Sequence, residues 1–195
     1  WLGGNKELRS KTRVIQSDFE NFKGLESVPE WNYDGSSTNQ ANGNDSEVYI
    51  KPISVYPDPF RKIKNTHCYL VLCDTLNADK TAHETNTRQM AKQIFDQDSE
   101  HKDPMFGLEQ EFFISRRSNG SLVPVSFADN QNEPKSQGDY YCGVGGSNVY
   151  GRSYVEEILD KCLLAKLPLT GMNAEVAPAQ WEFQVCSFGI DAADS

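Results

Sequence analysis

Two glutamates two positions apart, Glu109 and Glu111, interrupt the nearly apolar run FGLEQEFF at residues 106–113. Carboxylates are costly among buried neighbours unless something charged meets them. Side chains alternate along a strand, so Glu109 and Glu111 share one face. Phe106, Leu108, Phe112 and Ile114 take the other, with Gln110 among them. On a helix the two glutamates would stand about 200° apart and could not act together. QWEFQV repeats the arrangement, with Glu182 and Gln184 on one face and Trp181, Phe183 and Val185 opposite. Glu175 precedes Glu182 by an odd number of residues, which one regular strand would set on opposite faces; Pro178 breaks the strand between them and allows a common direction. A lone E-x-E on a strand usually marks a solvated polar face. Four carboxylates on neighbouring strands repel one another, and a divalent cation relieves that repulsion. Mg²⁺ and Mn²⁺ prefer oxygen ligands, and Mg²⁺ is commonly shared between carboxylates and substrate phosphates. The set Glu109, Glu111, Glu175 and Glu182 therefore predicts a metal-dependent site.

The elements that position these residues are legible in outline. Residues 1–80 read as β-rich: RSKTRVIQ alternates weakly, SEVYIKPISVY is strand-like but interrupted by Pro52, Pro57 and Pro59, and HCYLVLCDTL is a short buried strand. A Gly/Ser/Asn-rich loop spans residues 33–46, long enough to suggest a function. A boundary is expected near residues 76–84. A helix follows, with Met90, Ala91, Ile94 and Phe95 on one stripe. After the FGLEQEFF strand, residues 115–139 predict a hairpin turn at Asn119-Gly120 and an exposed loop. A second helix carries Val155, Ile158, Leu159 and Cys162 on its apolar face, with Ser153 and Glu156 as a capping box and Pro168 as its stop. Two strands, LTGMNAEV and QWEFQV, close the chain around APA. The mixture predicts an α+β chain, with a small β domain over 1–80 and a larger one over 84–195.

Composition narrows the partners. The 195 residues carry 19 basic and 28 acidic side chains, a net charge of −9 with no Lys/Arg cluster, so nucleic acid and anionic membranes are excluded as expected partners. No run of roughly 18 apolar residues predicts a membrane span. The odd cysteine count (Cys68, Cys73, Cys142, Cys162, Cys186) without a C-x-x-C pair argues against zinc or a disulfide framework and fits a reducing compartment. The sequons at Asn44 and Asn119 are matches to a loose pattern. CGVGG lacks the third glycine of a dinucleotide fingerprint, Asn148 standing in its place, so tight turns explain its glycines. Asp34 in YDGSS is a turn aspartate that needs no function by itself. Arg152 is expected to bond a backbone or cap a turn. His67, His83 and His101 are expected to be surface or structural residues.

Five motifs, WNYDGSST, DPFRK, FGLEQEFF, YYCGVGGSNVYGR and NAEVAPAQWEFQV, occur in this order. As a set they closely resemble the eukaryotic-type glutamine synthetases over nearly the whole chain. The resemblance implies a β-grasp N-terminal domain, the start of a catalytic domain on a curved antiparallel sheet, and ATP-dependent ligation of ammonia to L-glutamate through γ-glutamyl phosphate, with Mg²⁺ or Mn²⁺. Glu109 resembles a ligand of the nucleotide-side metal; Glu111, Glu175 and Glu182 resemble ligands of the metal nearer glutamate. Glu182 and Gln184 also stand where the family's nucleotide site begins. Asp34 resembles the aspartate that binds ammonium and helps remove its proton, with Ser37 as a supporting contact. The implied assembly is two stacked pentameric rings in the cytoplasm, each site shared between subunits.

The departures from the pattern are also informative. Met105 replaces the family's Trp before Phe-Gly, the segment before YYC reads ADNQNEPKSQGD, and EFQVCSFGI is one residue short and lacks a Gly-Pro turn beside the nucleotide site. The family's later histidine ligand, Asn-Gly-rich glutamate loop, flap glutamate and phosphate-binding arginines do not occur. The chain is thus expected to be the N-terminal half of a subunit, truncated at both ends and inactive alone. Two other readings are a structural or regulatory homologue that has lost catalysis and a ligase for a different amine.

Overall fold

The computed structural model describes residues 1–16, 22–97, 104–125, 136–145 and 148–194. His101 and most of the loop expected after residue 124 lie outside the described residues. The chain folds as two compact units. Trp1–Asp58, Lys62–Lys102 and Asp194 form one; Pro59–Arg61, Asp103–Ala193 and Ser195 form the other. The architecture is mixed α and β with antiparallel sheets, as the pattern predicts at that level.

In the first unit β1 (Trp31–Asp34), β2 (Glu47–Pro57) and β3 (Tyr69–Leu76) form an antiparallel sheet in the order β1-β2-β3. Tyr33, Val48 and Ile50 are its buried centre, with Trp1, Trp31, Ala41 and Cys73 against them. Burial pushes the Cys73 thiol up to about 11. Pro52 does not end β2 as expected. The pairing with β3 shifts register between Pro52 and Ser54, and an irregularity of this kind tolerates a residue without an N–H. Residues 9–16 form no strand; Lys11 and Arg13 instead donate side-chain hydrogen bonds to the Asn32 and Glu30 carbonyls.

The loop after β1 is ordered by polar contacts. Gly35–Thr38 is a turn of 3-10 helix, and the Gly35 N–H donates to the Ser46 carbonyl at 2.6 Å. The Tyr33 hydroxyl donates to Gln40 Oε1 at 2.6 Å, Gln40 Nε2 donates to Thr85 Oγ1 at 2.9 Å, and a ring nitrogen of buried His83 bonds the Gln40 carbonyl at 2.8 Å. His83 is therefore structural, as expected. The helix α1 (Thr87–Gln97) belongs to this unit, which thus runs past the composition change at residues 76–84. Asn86 Oδ1 accepts the Gln89 N–H at its start. Its predicted stripe is only half used. Ala91 and Phe95 are partly buried, whereas Met90 and Ile94 face solvent.

In the second unit β4 (Met105–Phe113), β8 (Gln180–Phe188) and β7 (Leu169–Ala174) form an antiparallel sheet with β8 between the other two. A hairpin of β5 (Ser115–Ser118) and β6 (Ser121–Pro124) turns at Asn119 and Gly120, both with positive φ. The helix α2 (Arg152–Leu164) places Val155, fully buried, against Ala174, Trp181 and Phe183, with Phe112, Ile114 and Leu159 packed around them. Phe112 and Phe183 stack with ring centres 5.5 Å apart. Phe106 and Leu108, assigned to the same apolar face, remain partly exposed toward the far end of β4.

The capping box does not form. α2 starts at Arg152, one residue before Ser153, because Gly151 takes a left-handed conformation (φ 83°) and its carbonyl accepts the N–H groups of Tyr154 and Val155. Arg152 donates to the Gly143 carbonyl at 2.6 Å, the backbone role expected of it. A one-turn helix, α3 (Asp191–Asp194), ends the described chain. All five cysteines are free, Cys142 and Cys186 exposed and the others half-buried. No helix among the described residues is long and apolar enough to cross a membrane.

Candidate metal centre

Strand register decides which carboxylates meet. Glu111 pairs directly with Glu182 across β4 and β8, and Glu109 pairs with Gln184. On the other side of β8, Asn173 pairs with Glu182 and Gly171 with Gln184. Side chains of paired residues share a face, so these six positions form one patch opposite the Trp181–Phe183 core.

Glu175 joins them through a tight turn rather than a bend within one strand. β7 ends at Ala174, the Glu175 N–H donates to the Gln180 carbonyl at 2.9 Å, and the Gln180 N–H donates to Ala177 at 3.1 Å. Ala179, after buried Pro178, takes φ 60°. Reversing the chain removes the parity problem of the odd Glu175–Glu182 separation, because alternation holds only along one strand.

Ligand oxygens from Glu111, Glu175 and Glu182 all lie within 4.8 Å of one another. Glu182 is only 4% exposed and Glu175 9%, while Glu111 is exposed. Among the described residues no lysine or arginine pairs with any of the three. Buried like charges without a counter-ion are unfavourable, and an oxygen-only carboxylate set is the donor chemistry of a hard divalent cation. The residues present therefore fit such an ion. Their field reaches outward: the Tyr141 phenol is pushed up, first by the neighbouring Cys142 and then by the negative charge of Glu175 and Glu182. Glu109 shares the face but stands outside this group of three.

Carboxamides orient the cluster. Gln184 Nε2 donates to Glu182 Oε1 and, at 3.1 Å, to Asn173 Oδ1; Asn173 Nδ2 donates to Glu175 Oε1 at 3.0 Å. Gln180 Nε2 donates to Glu111 Oε2 at 2.7 Å, and the Val176 N–H to Glu175 Oε2 at 3.0 Å. Gly171 makes room: a Cβ there would collide with the Gln184 side-chain amide. Asn173 and Gln180 were not singled out from the sequence, although each stands two residues before a clustered glutamate and so shares its face.

Across its whole length the chain is 43% identical to glutamine synthetases of Saccharomyces cerevisiae and of Canis lupus familiaris, and 46% identical to a relative from Acanthamoeba polyphaga mimivirus whose name carries the same enzyme. Over its whole length the chain is similar to glutamine synthetases. It spans about half the length of the curated relatives it matches, 53% of the mimivirus protein and 50% of the yeast and dog proteins. No family model matches it.

Asp34 and Ser37, the other site residues predicted, belong to the first unit. Asp34 Oδ1 accepts the Ser36 N–H at 3.0 Å and the Ser36 hydroxyl at 2.6 Å, while the Ser37 hydroxyl reaches Oδ2 at 3.4 Å. The Ser36 hydroxyl and then its N–H hold the Asp34 carboxyl below its ordinary value. Ser36, not Ser37, is the nearer support, a distinction that two adjacent serines in a sequence do not reveal.

Proposed function

We propose that the chain is the part of a glutamine synthetase subunit that supplies most of its carboxylate ligands, in an enzyme that ligates ammonia to L-glutamate at the expense of ATP. The observation that carries this reading is the Glu111–Glu175–Glu182 group, two of its members buried and, among the described residues, none paired with a lysine or arginine. Glu111, Glu175 and Glu182 would hold one Mg²⁺ or Mn²⁺ ion; Glu109 would serve a nucleotide-side ion, and Glu182 with Gln184 would border the nucleotide. Ions bound there would screen the charges of the ATP phosphates and the glutamate γ-carboxylate. The γ-phosphoryl group passes to the γ-carboxylate, and ammonia then displaces phosphate from γ-glutamyl phosphate. Asp34, its carboxylate oriented by Ser36 and Ser37, is suited to bind ammonium and accept its proton.

The first unit is read as a β-grasp domain, the second as the beginning of a curved antiparallel catalytic sheet. The assembly follows as a cytoplasmic decamer of two pentameric rings with sites shared between subunits. The relatives' names lend no support to a catalytically silent homologue.

The test is ATP- and Mg²⁺-dependent glutamine formation by the subunit carrying this chain, with and without Glu175→Ala. The expected loss is at least the roughly 10–100-fold that removal of an outer-shell partner costs a metal site. Undiminished turnover in Glu175→Ala would rule out its metal role.

A further inference from the structure

The three clustered glutamates are not equally constrained. Glu175 and Glu182 are buried on the β7–β8 hairpin, and each accepts hydrogen bonds from that same hairpin. Glu111 stands on the flanking strand β4, exposed, and among the described residues its carboxylate accepts one hydrogen bond, from Gln180. An exposed glutamate with three rotatable bonds samples many rotamers unless something holds it.

Gln180 is well placed to hold it. Its Cα pairs with Phe113, so its contact with Glu111 is the diagonal cross-strand one. Its own amide is oriented, since Oε1 accepts the Ala177 N–H at 3.2 Å and Nε2 is left as the donor. Its backbone closes the turn that carries Glu175. A lysine or arginine at this position could also orient Glu111, but it would cancel the charge the ion needs. A neutral amide orients the carboxylate without neutralising it and occupies only Oε2.

We propose that Gln180 is a positioning residue of the metal centre: its amide locks the exposed Glu111 carboxylate onto the rigid pair Glu175 and Glu182. This rests on the metal reading given above. Outer-shell partners of ligating carboxylates typically affect metal affinity by about 10–100-fold.

The test measures Mn²⁺ binding to the purified chain directly, from the electron paramagnetic resonance signal of free Mn²⁺. Four proteins are compared: wild type, Gln180→Met, Glu111→Gln and the double variant. Gln180→Met keeps the length of the side chain and removes the donor. It should weaken Mn²⁺ binding by about tenfold. The double variant should bind no more weakly than Glu111→Gln alone, because the amide acts through that carboxylate.

Wild-type affinity in Gln180→Met, beside weakened binding in Glu111→Gln, overturns the proposal and leaves the metal reading standing. So does an equal loss from Gln180→Met in both backgrounds, which marks a general disturbance. No Mn²⁺ binding by the wild type overturns both. Should Gln180→Met lose its far-ultraviolet circular dichroism, Gln180→Asn withdraws the amide by one methylene and carries the same expectations.

Discussion

Asp34 shows how much chemistry a two-residue turn can set. Its carboxylate accepts from the hydroxyl and the N–H of Ser36, and both bonds favour the charged form. Its ionisation therefore lies below that of an unfolded aspartate. The linkage sign follows: this group's contribution to stability is present above the unfolded value, near pH 4, and is lost as the pH falls through the lower folded value. Ser36→Ala removes the larger of the two influences. A carboxyl titration followed by nuclear magnetic resonance should show the Asp34 midpoint rising toward the ordinary aspartate value in that variant. An unmoved midpoint would refute the assignment. The candidate metal centre is built differently. Glu175 and Glu182 are ordered by neutral amides, so their negative charge is left for a cation to balance.

At the scale of elements, the patch of carboxylates depends on a core built by the opposite face of the same strands. Trp181 and Phe183 alternate with Gln180, Glu182 and Gln184 along β8, so whatever seats the aromatics aims the polar side chains. Val155 of α2, fully buried against that aromatic face, is the point of contact to test. Val155→Ala should cost about 2 kcal/mol in urea denaturation, from lost transfer energy and the cavity left behind. Glu157→Ala, exposed on the same helix, should change stability by less than about 0.5 kcal/mol. Periodicity located α2 and its buried residue. It misplaced the cap, because a left-handed glycine can begin a helix without any side-chain acceptor. It also overstated α1, whose Met90 and Ile94 satisfy the helical spacing yet face solvent. Spacing tells which residues share a face, not how much of that face a neighbour covers.

At the scale of the whole molecule, a net charge of −9 includes three carboxylates gathered at one point of the second unit. A divalent ion that binds the folded cluster and not the unfolded chain must raise stability by mass action. The gain is about 2.7 kcal/mol at an ion concentration a hundredfold above Kd. Thermal unfolding should therefore shift upward with Mn²⁺ but not with sodium chloride of equal ionic strength. The shift should vanish in the Glu111→Gln, Glu175→Gln double variant. A shift that persists there would place the ion elsewhere. The relatives are about twice as long as this chain, and the activity proposed above belongs to that whole.

The residue types and their order were enough to determine the α and β mixture, the antiparallel strands, the Asn119-Gly120 hairpin, the shared face of Glu109 and Glu111, and the resemblance to glutamine synthetases. All of these follow from local stereochemistry or from motif sequence, which one chain displays on its own. Only the tertiary structure decided that Glu111, Glu175 and Glu182 meet while Glu109 stands aside, and that Asn173 and Gln180 hold two of them. The reason is register. Strand alternation fixes the side of a sheet a residue takes, but its partner across the sheet depends on where the β7–β8 turn closes and how β4 slides against β8, and no single strand records that.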